Sequence, residues 1–408
     1  MAVSRSGREL SEIAGGVTAP RGWRAGVAAC GIKRVGRDDL AVLVSSLDCD
    51  AGGVFTANRV QAAPVVLDRA RVPGSRIRAL VVNSGNANAC TGERGMADAV
   101  HMAELAATRL GLEPGQVLVC STGVIGRRLP MALIEPGIAT ACAHLGDAGD
   151  AAAEAIMTTD TRSKSAAVEL EIGDVAIRVG GMAKGSGMIH PDLATMLAFV
   201  TTDARVAPGL AHSLAARVAD RSFNLLTVDG DSSTNDTFLV LAGGGAGGPE
   251  IVAGSSEAEL LEGAVLEVAR RLARAIAADG EGATRLITVR VAGAASEAHA
   301  RLAARAVASS SLVKAAVHGG DPNWGRIVCA LGYSGAELAL DSLAVSIGGV
   351  LVFSRGVPVD PDLGRVRAAF ERPEVEIEAE LALGDGAAEA WGCDLSEEYV
   401  RINAEYTT

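Results

Sequence analysis

Short runs rich in Val, Ile and Leu alternate with longer Ala-rich segments of helical pattern along much of this chain, and no other feature constrains the fold as strongly. Runs at 40–47 (LAVLVSSL), 78–85 (RALVVNSG), 117–123 (VLVCSTG), 175–181 (VAIRVGG), 195–200 (TMLAFV), 286–293 (LITVRVAG), 343–353 (LAVSIGGVLVF) and 375–384 (VEIEAELALG) each predict a strand. The clearest helix starts after Ser256, whose hydroxyl can cap it together with Glu259; Leu261, Val265, Val268, Leu272 and Ile276 form one apolar stripe, and Gly280 ends it. Such alternation predicts an α/β chain with α+β layering. No internal repeat or low-complexity linker divides it. The best boundary candidates are AGGGAGGPE (242–250), which reads as a hairpin turn or loop, and the acidic Ala-rich stretch near Gly146 to Ala153.

At 408 residues, 49% of them apolar, the chain can bury a sizeable core. Acidic residues outnumber basic ones by 49 to 37, and no Lys/Arg block interleaves with aromatics. The footprint of a nucleic-acid binder is therefore missing, and small-molecule chemistry is expected. The first residues, MAVSRSGRELSEIAGG, mix charges and lack the apolar core of a secretory signal, and no window of 18 consecutive apolar residues predicts a membrane span. Seven scattered cysteines without a CxxC pair predict a reduced cytoplasmic protein with mostly buried thiols. The six histidines stand apart from one another and from the cysteines, so no metal site is expected.

One loop carries chemistry of its own. In AKGSGMIHPDLATMLAFV (183–200), Gly185, Gly187 and Pro191 precede the small Ala194, and Thr195 opens an apolar run. Threonine in such a run is ordinarily a β-branched filler. A Gly-rich segment, however, reaches backbone conformations closed to other residues. It could press the Ala194 carbonyl onto the Thr195 hydroxyl, allowing an N-to-O acyl shift and hydrolysis that frees Thr195 as a new N-terminus. The freed α-amino group, with a reference pKa of roughly 7.7 to 8.0, would then serve as the base that a weak hydroxyl nucleophile needs. His190 is the rival base by proximity, and is expected to be an exposed turn residue.

An acyl-transfer nucleophile also needs donors for its oxyanion. CSTGVIG (120–126) offers small residues at a strand end, where an ordinary turn would look the same. In VVNSGNANACTG (81–92), Asn83, Asn86 and Asn88 are too costly for a plain core strand and predict a hydrogen-bonded loop near the site. GGMAKGSG is no phosphate loop, because Lys184 precedes Gly185 instead of preceding Ser or Thr. DGDSSTNDT (229–237) fails as a calcium loop and reads as a polar turn, with Thr234 and Val240 where Gly and Glu are required. Acyl transfer, hydrolysis by an N-terminal-nucleophile aminopeptidase or amidase, and a protein with an inactive Thr195 all fit these residues.

KGSGMIHPDLATMLAF, together with STGVIG, MTTDT (157–161), DGEGATR (279–285), DPNWGRI (321–327) and YVRINAEYTT (399–408), resembles the ornithine acetyltransferase family, the bifunctional arginine-biosynthesis ArgJ proteins. Matches run from VFTANRVQAAPV (54–65) to the last residue. The resemblance implies an N-terminal-nucleophile-like fold and autocleavage between Ala194 and Thr195, giving an α chain (1–194) and a β chain (195–408) assembled as an α2β2 heterotetramer. It implies ping-pong transfer of acetyl from N2-acetyl-L-ornithine to L-glutamate through Thr195, with no cofactor and with acetyl-CoA as the open question of a second donor. Carried over residue by residue, Thr122 and Gly123 form the oxyanion hole, and Thr158 or Thr159, Lys184, Thr195, Glu281, Asn403 and Thr408 contact substrate. Asp192 and Leu193 stand where the family usually has Asn and Met.

Overall fold

The computed structural model describes residues 10–33, 36–190, 196–360 and 362–405. Among these residues the chain forms two sheets. Along the nine-stranded one run Ser11–Glu12, Lys164–Ile172, Val175–Lys184, Leu197–Thr202, Thr237–Ala242, Leu40–Phe55, Gly74–Asn86 and Val117–Val124, with Trp23–Ala28 as a branch on Leu40–Phe55. Most neighbours are antiparallel; Leu197–Thr202 with Thr237–Ala242, and Gly74–Asn86 with Val117–Val124, are parallel. The second sheet has six strands in the order Val357–Pro358, Val350–Ser354, Ala344–Ile347, Glu374–Glu380, Leu286–Ala294, Gly386–Cys393.

Leu40–Phe55 joins the two halves of the large sheet. Its residues 40–45 pair with Trp23–Ala28, whereas residues 50–55 pair with Thr237–Ala242, and its register against Gly74–Asn86 shifts between Val44 and Ala51. Side chains alternate strictly between cores on either side of it. Leu197, Phe199, Leu239 and Leu241 share one core with Leu43, Leu80, Val82, Leu118 and Cys120 from the other half. Ala198, Val200, Phe238 and Val240 turn instead to the helices Leu210–Asp220 and Ser256–Ala278. Ala79, Val81, Val117 and Val119 turn to Gly92–Leu110 and Met131–Ala143. The halves therefore lie face to face, with helices outside each, in the layering that an N-terminal-nucleophile-like fold requires. Burial on both faces also explains why these strands read as continuous apolar runs.

The sequence expectations fail locally in four places. The long helix spans Ser256–Ala278 as predicted, but Ser255, not Ser256, caps it, accepting the Ala258 amide at 3.1 Å. The run 343–353 is a hairpin, Ala344–Ile347 and Val350–Ser354, turned by Gly348 and Gly349 at φ +56° and +78°. The Gly-rich 242–250 stretch is a loop inside one continuous core, with Ala242, Ala246 and Ile251 in the same cluster, so it divides nothing. Of the cysteines, Cys49, Cys120 and Cys393 are buried, whereas Cys90 and Cys329 are exposed.

Candidate active site

Thr122, Gly123, Thr158, Thr159, Lys184, Glu281 and Asn403, drawn from segments almost 300 residues apart in sequence, line a single cleft. Thr195, Ala194 and Thr408 lie outside the described residues. Met196, which follows Thr195 in sequence, leads into the Leu197–Thr202 strand beside Val175–Lys184.

Lys184 ends its strand with its side chain inside the protein, only 3% exposed. Its Nζ donates to Thr158 Oγ1 at 2.7 Å and to Thr122 Oγ1 at 3.3 Å. Burial pushes the ammonium below the usual lysine range; Lys164 adds to that push, while Asp160, Asp236 and Glu281 oppose it. Asp160 anchors this end of the cleft. It accepts Lys164 Nζ at 2.6 Å, the Gly185 amide at 2.7 Å and the Thr158 amide at 2.9 Å. Burial alone would raise its pKa, yet Lys184, Lys164 and these hydrogen bonds hold it down to about 2. Lys164 also donates to Asp279 Oδ2 at 2.7 Å, so one buried cation serves two carboxylates.

The Gly-rich loop after Lys184 is held rather than loose. Ser186 Oγ meets Thr159 Oγ1 at 2.7 Å, the Ser186 carbonyl accepts the Glu281 amide at 2.8 Å, and Asp229 takes the Met188 and Ile189 amides at 2.6 and 2.8 Å. The Ile189 carbonyl accepts the Val228 amide at 2.8 Å. Met188 takes φ +57°, a left-handed conformation that these contacts over-determine. The local geometry thus supports the sequence expectation of an unusual backbone just before residue 191. His190 is half-buried, which corrects its expected exposure, because the loop folds inward onto the segment around Val228.

In the same cleft, Glu281 Oε2 accepts Asn403 Nδ2 at 2.8 Å. Asn403 sits on a C-terminal helix, Glu397–Glu405, where the sequence alone predicts a loose tail. That helix is tied back through Ser396, whose hydroxyl donates to the Gly282 carbonyl at 2.6 Å, and through His318, which bridges Asp394 and Glu397 at 2.8 and 3.2 Å.

Thr122 and Gly123 close the Val117–Val124 strand. Gly123 has φ +132°, and a side chain there would overlap the Gly85 backbone, so only glycine fits. The three asparagines form the predicted network. Asn83 accepts Ser121 Oγ at 2.6 Å, Asn86 Nδ2 reaches the Arg127 and Arg128 carbonyls at 3.2 and 3.0 Å, and Asn88 Nδ2 reaches the Gly95 carbonyl at 2.9 Å. This network fixes the strand end next to Thr122.

Sequence reasoning missed the segment Asp229 to Asp236, which it treats as a plain polar turn. Asp229, Asp231, Ser233 and Asn235 line the cleft, and Asn235 Nδ2 ties the sheet halves together through the Ala87 and Ser121 carbonyls at 2.6 and 2.8 Å. Tyr399 and Met188 were missed as well. The available signal was the density of Asp, Asn, Ser and Thr directly before the fully buried strand TFLVLA.

The ArgJ family matches residues 24–408. An arginine biosynthesis bifunctional protein ArgJ from Symbiobacterium thermophilum is 52% identical over 399 residues, covering 97% of this chain and 99% of that protein. Its counterpart from a Synechococcus species is 48% identical over 408 residues, covering 97% and 98%. Among solved structures, an ornithine acetyltransferase from Mycobacterium tuberculosis in complex with ornithine is 40% identical, covering 46% of this chain and 100% of that one, with a TM-score of 0.41. With nearly its whole length matched by relatives about half identical to it, the chain belongs to the ArgJ family.

Proposed function

We propose that the chain cleaves itself between Ala194 and Thr195 and that Thr195 then carries acetyl from N2-acetyl-L-ornithine to L-glutamate. It is an acyltransferase of arginine biosynthesis. The α-amine of Thr195 takes the hydroxyl proton as Oγ attacks the acetyl carbonyl; ornithine leaves with its nitrogen protonated, and an acetyl ester stays on Thr195. The glutamate amine then attacks that ester, regenerating the hydroxyl. Thr122 and Gly123 would stabilise the oxyanion in both halves. Lys184 would face a substrate carboxylate, and Glu281, steadied by Asn403, a substrate ammonium.

One observation carries this proposal: a buried cation bonded to Thr122 and Thr158, and a carboxylate bonded to Asn403, line the same cleft. Such a cleft suits a zwitterionic amino acid. The name of the curated relatives, bifunctional, extends the proposal to acetyl-CoA as a second acetyl donor. Assembly as an α2β2 heterotetramer and a cytoplasmic location complete it; among the described residues no helix is long and apolar enough to cross a membrane.

A denaturing gel of wild type beside Thr195→Ala provides the test, with two fragments of similar size expected from the first and one full-length band from the second. Purified wild type should form acetylglutamate from acetylornithine only when glutamate is added. Two fragments from the variant would overturn the cleavage chemistry, and free acetate released equally fast without glutamate would replace transfer by hydrolysis.

A further inference from the structure

Asp236 has no exposed surface. Its Oδ1 accepts the Met196 amide at 2.8 Å, whereas the equally buried Oδ2 finds no hydrogen-bond partner among the described residues. The Thr56 hydroxyl lies beside the carboxyl but donates its single proton to the Ser233 carbonyl at 2.7 Å. Lys184 faces the group from the neighbouring strand, where it is paired with Leu197. Lys184 is itself balanced by Asp160 and Glu281, against the repulsion of Lys164. A buried carboxyl oxygen left without a donor is rare and marks either a cost or a use.

Chain connectivity supplies the use. Met196 directly follows Thr195 in the chain, so the carboxyl that holds the Met196 amide is anchored one residue along from the proposed nucleophile. We propose that Asp236 is the proton relay of Thr195, holding the following residue in register with Oδ1 and moving the threonine's proton with Oδ2. The inference rests on Thr195 being the nucleophile.

In the N-to-O shift, the bond from Thr195 Oγ to the Ala194 carbonyl carbon forms and the carbon–nitrogen bond breaks. The ionised Oδ2 takes the hydroxyl proton as the first bond forms and hands the same proton to the departing nitrogen as the second breaks, so the carboxylate is regenerated. Water then hydrolyses the ester, giving its OH to Ala194 and its remaining proton to Oγ. In the mature enzyme the same oxygen would accept a hydrogen bond from the new neutral α-amine, whose lone pair stays free to take the hydroxyl proton. Burial pushes Asp236 well above the usual carboxylate range, against the opposing pull of the Met196 amide and Lys184. Self-cleavage should therefore fall away at a higher pH than an ordinary aspartate would impose.

Asp236→Asn keeps an acceptor for the Met196 amide but cannot carry the proton. In freshly synthesised full-length chain it should slow self-cleavage about 100-fold or more, while the uncut protein melts where Thr195→Ala does. Cleavage at the wild-type rate overturns the inference. Should the variant not fold, the wild-type chain carries the test: its cleavage rate should climb with pH through one ionisation above the usual carboxylate range, and a rate indifferent to pH overturns the relay. A wild type that never cuts overturns the nucleophile and the relay together; a wild type and Asp236→Asn that cut alike overturn the relay alone.

Discussion

Gly187 lies so close to Glu281 that a Cβ built on it would overlap the glutamate carboxylate. The Gly-rich loop is therefore glycine here for space, since the carboxylate occupies the volume a side chain would fill. Gly187→Ala should push Glu281 off its bond to Asn403, raising substrate KM at least tenfold and costing about 1–3 kcal/mol of stability by overpacking. Steady-state kinetics with a thermal melt checks both, and an alanine variant with unchanged KM would show that Glu281 is not where substrate binds.

Lys164 is 2% exposed and bonded to Asp160 and Asp279. Replacing it with methionine leaves two buried carboxylates without their shared cation. Lys164→Met should lose about 3–5 kcal/mol at neutral pH, measured by denaturant titration. The deficit should shrink in acid, where Asp160, deprived of the cation that helps hold its pKa down, takes up a proton.

Asp68, 1% exposed, accepts the Val119 amide on both oxygens at 3.0 and 3.1 Å, and burial pushes its pKa up to about 8. Below pH 4 the carboxyl is neutral in both folded and unfolded chains, and its burial costs little. Between pH 4 and 8 the folded protein keeps a proton the unfolded chain has released, so stability from this group declines as pH rises through that window, by up to about 1.4 kcal/mol per unit. Asp68→Asn, which retains an acceptor for Val119 and never ionises, should gain on wild type steadily over the same range. Parallel stability profiles for the two proteins would contradict this assignment.

Asn403 bonds Glu281 and the Tyr399 carbonyl, at 2.8 and 3.0 Å. Being on the surface, it contributes little to stability. Asn403→Ala should leave the melting temperature within a degree or so of wild type, while KM rises several-fold. Unchanged KM would remove the C-terminal helix from substrate binding.

Read alone, STGVIG is an ordinary strand-end turn and Lys184 and Glu281 are solvated charges; Thr122, Gly123, Lys184 and Glu281 entered the expected site through their places in the motifs STGVIG, KGSG and DGEG that carry the family resemblance. The Asp229 to Asp236 segment did not, since Asp, Asn and Ser make any solvated turn and only tertiary contact distinguishes one that grips Met188, Ile189 and Met196. The cap at Ser255 was displaced by one residue because adjacent serines are interchangeable on paper; backbone geometry chooses between them. Face-to-face stacking of the sheet halves was hidden for a further reason. Strands such as Thr237–Ala242 are covered on both sides, and their even and odd residues serve different cores while looking equally apolar.

The threading of the large sheet has a last consequence. Leu197–Thr202 lies between Val175–Lys184 and Thr237–Ala242, and Thr237–Ala242 lies in turn against Leu40–Phe55. A break between residues 194 and 195 would thus leave two polypeptides woven through one another, unable to drift apart on dilution without tearing two ladders. Before the break, folding is unimolecular; after it, recovery from denaturation would need two strangers to meet, without the effective concentration a tether provides. Such a molecule folds once, and its lifetime is set by how slowly it opens.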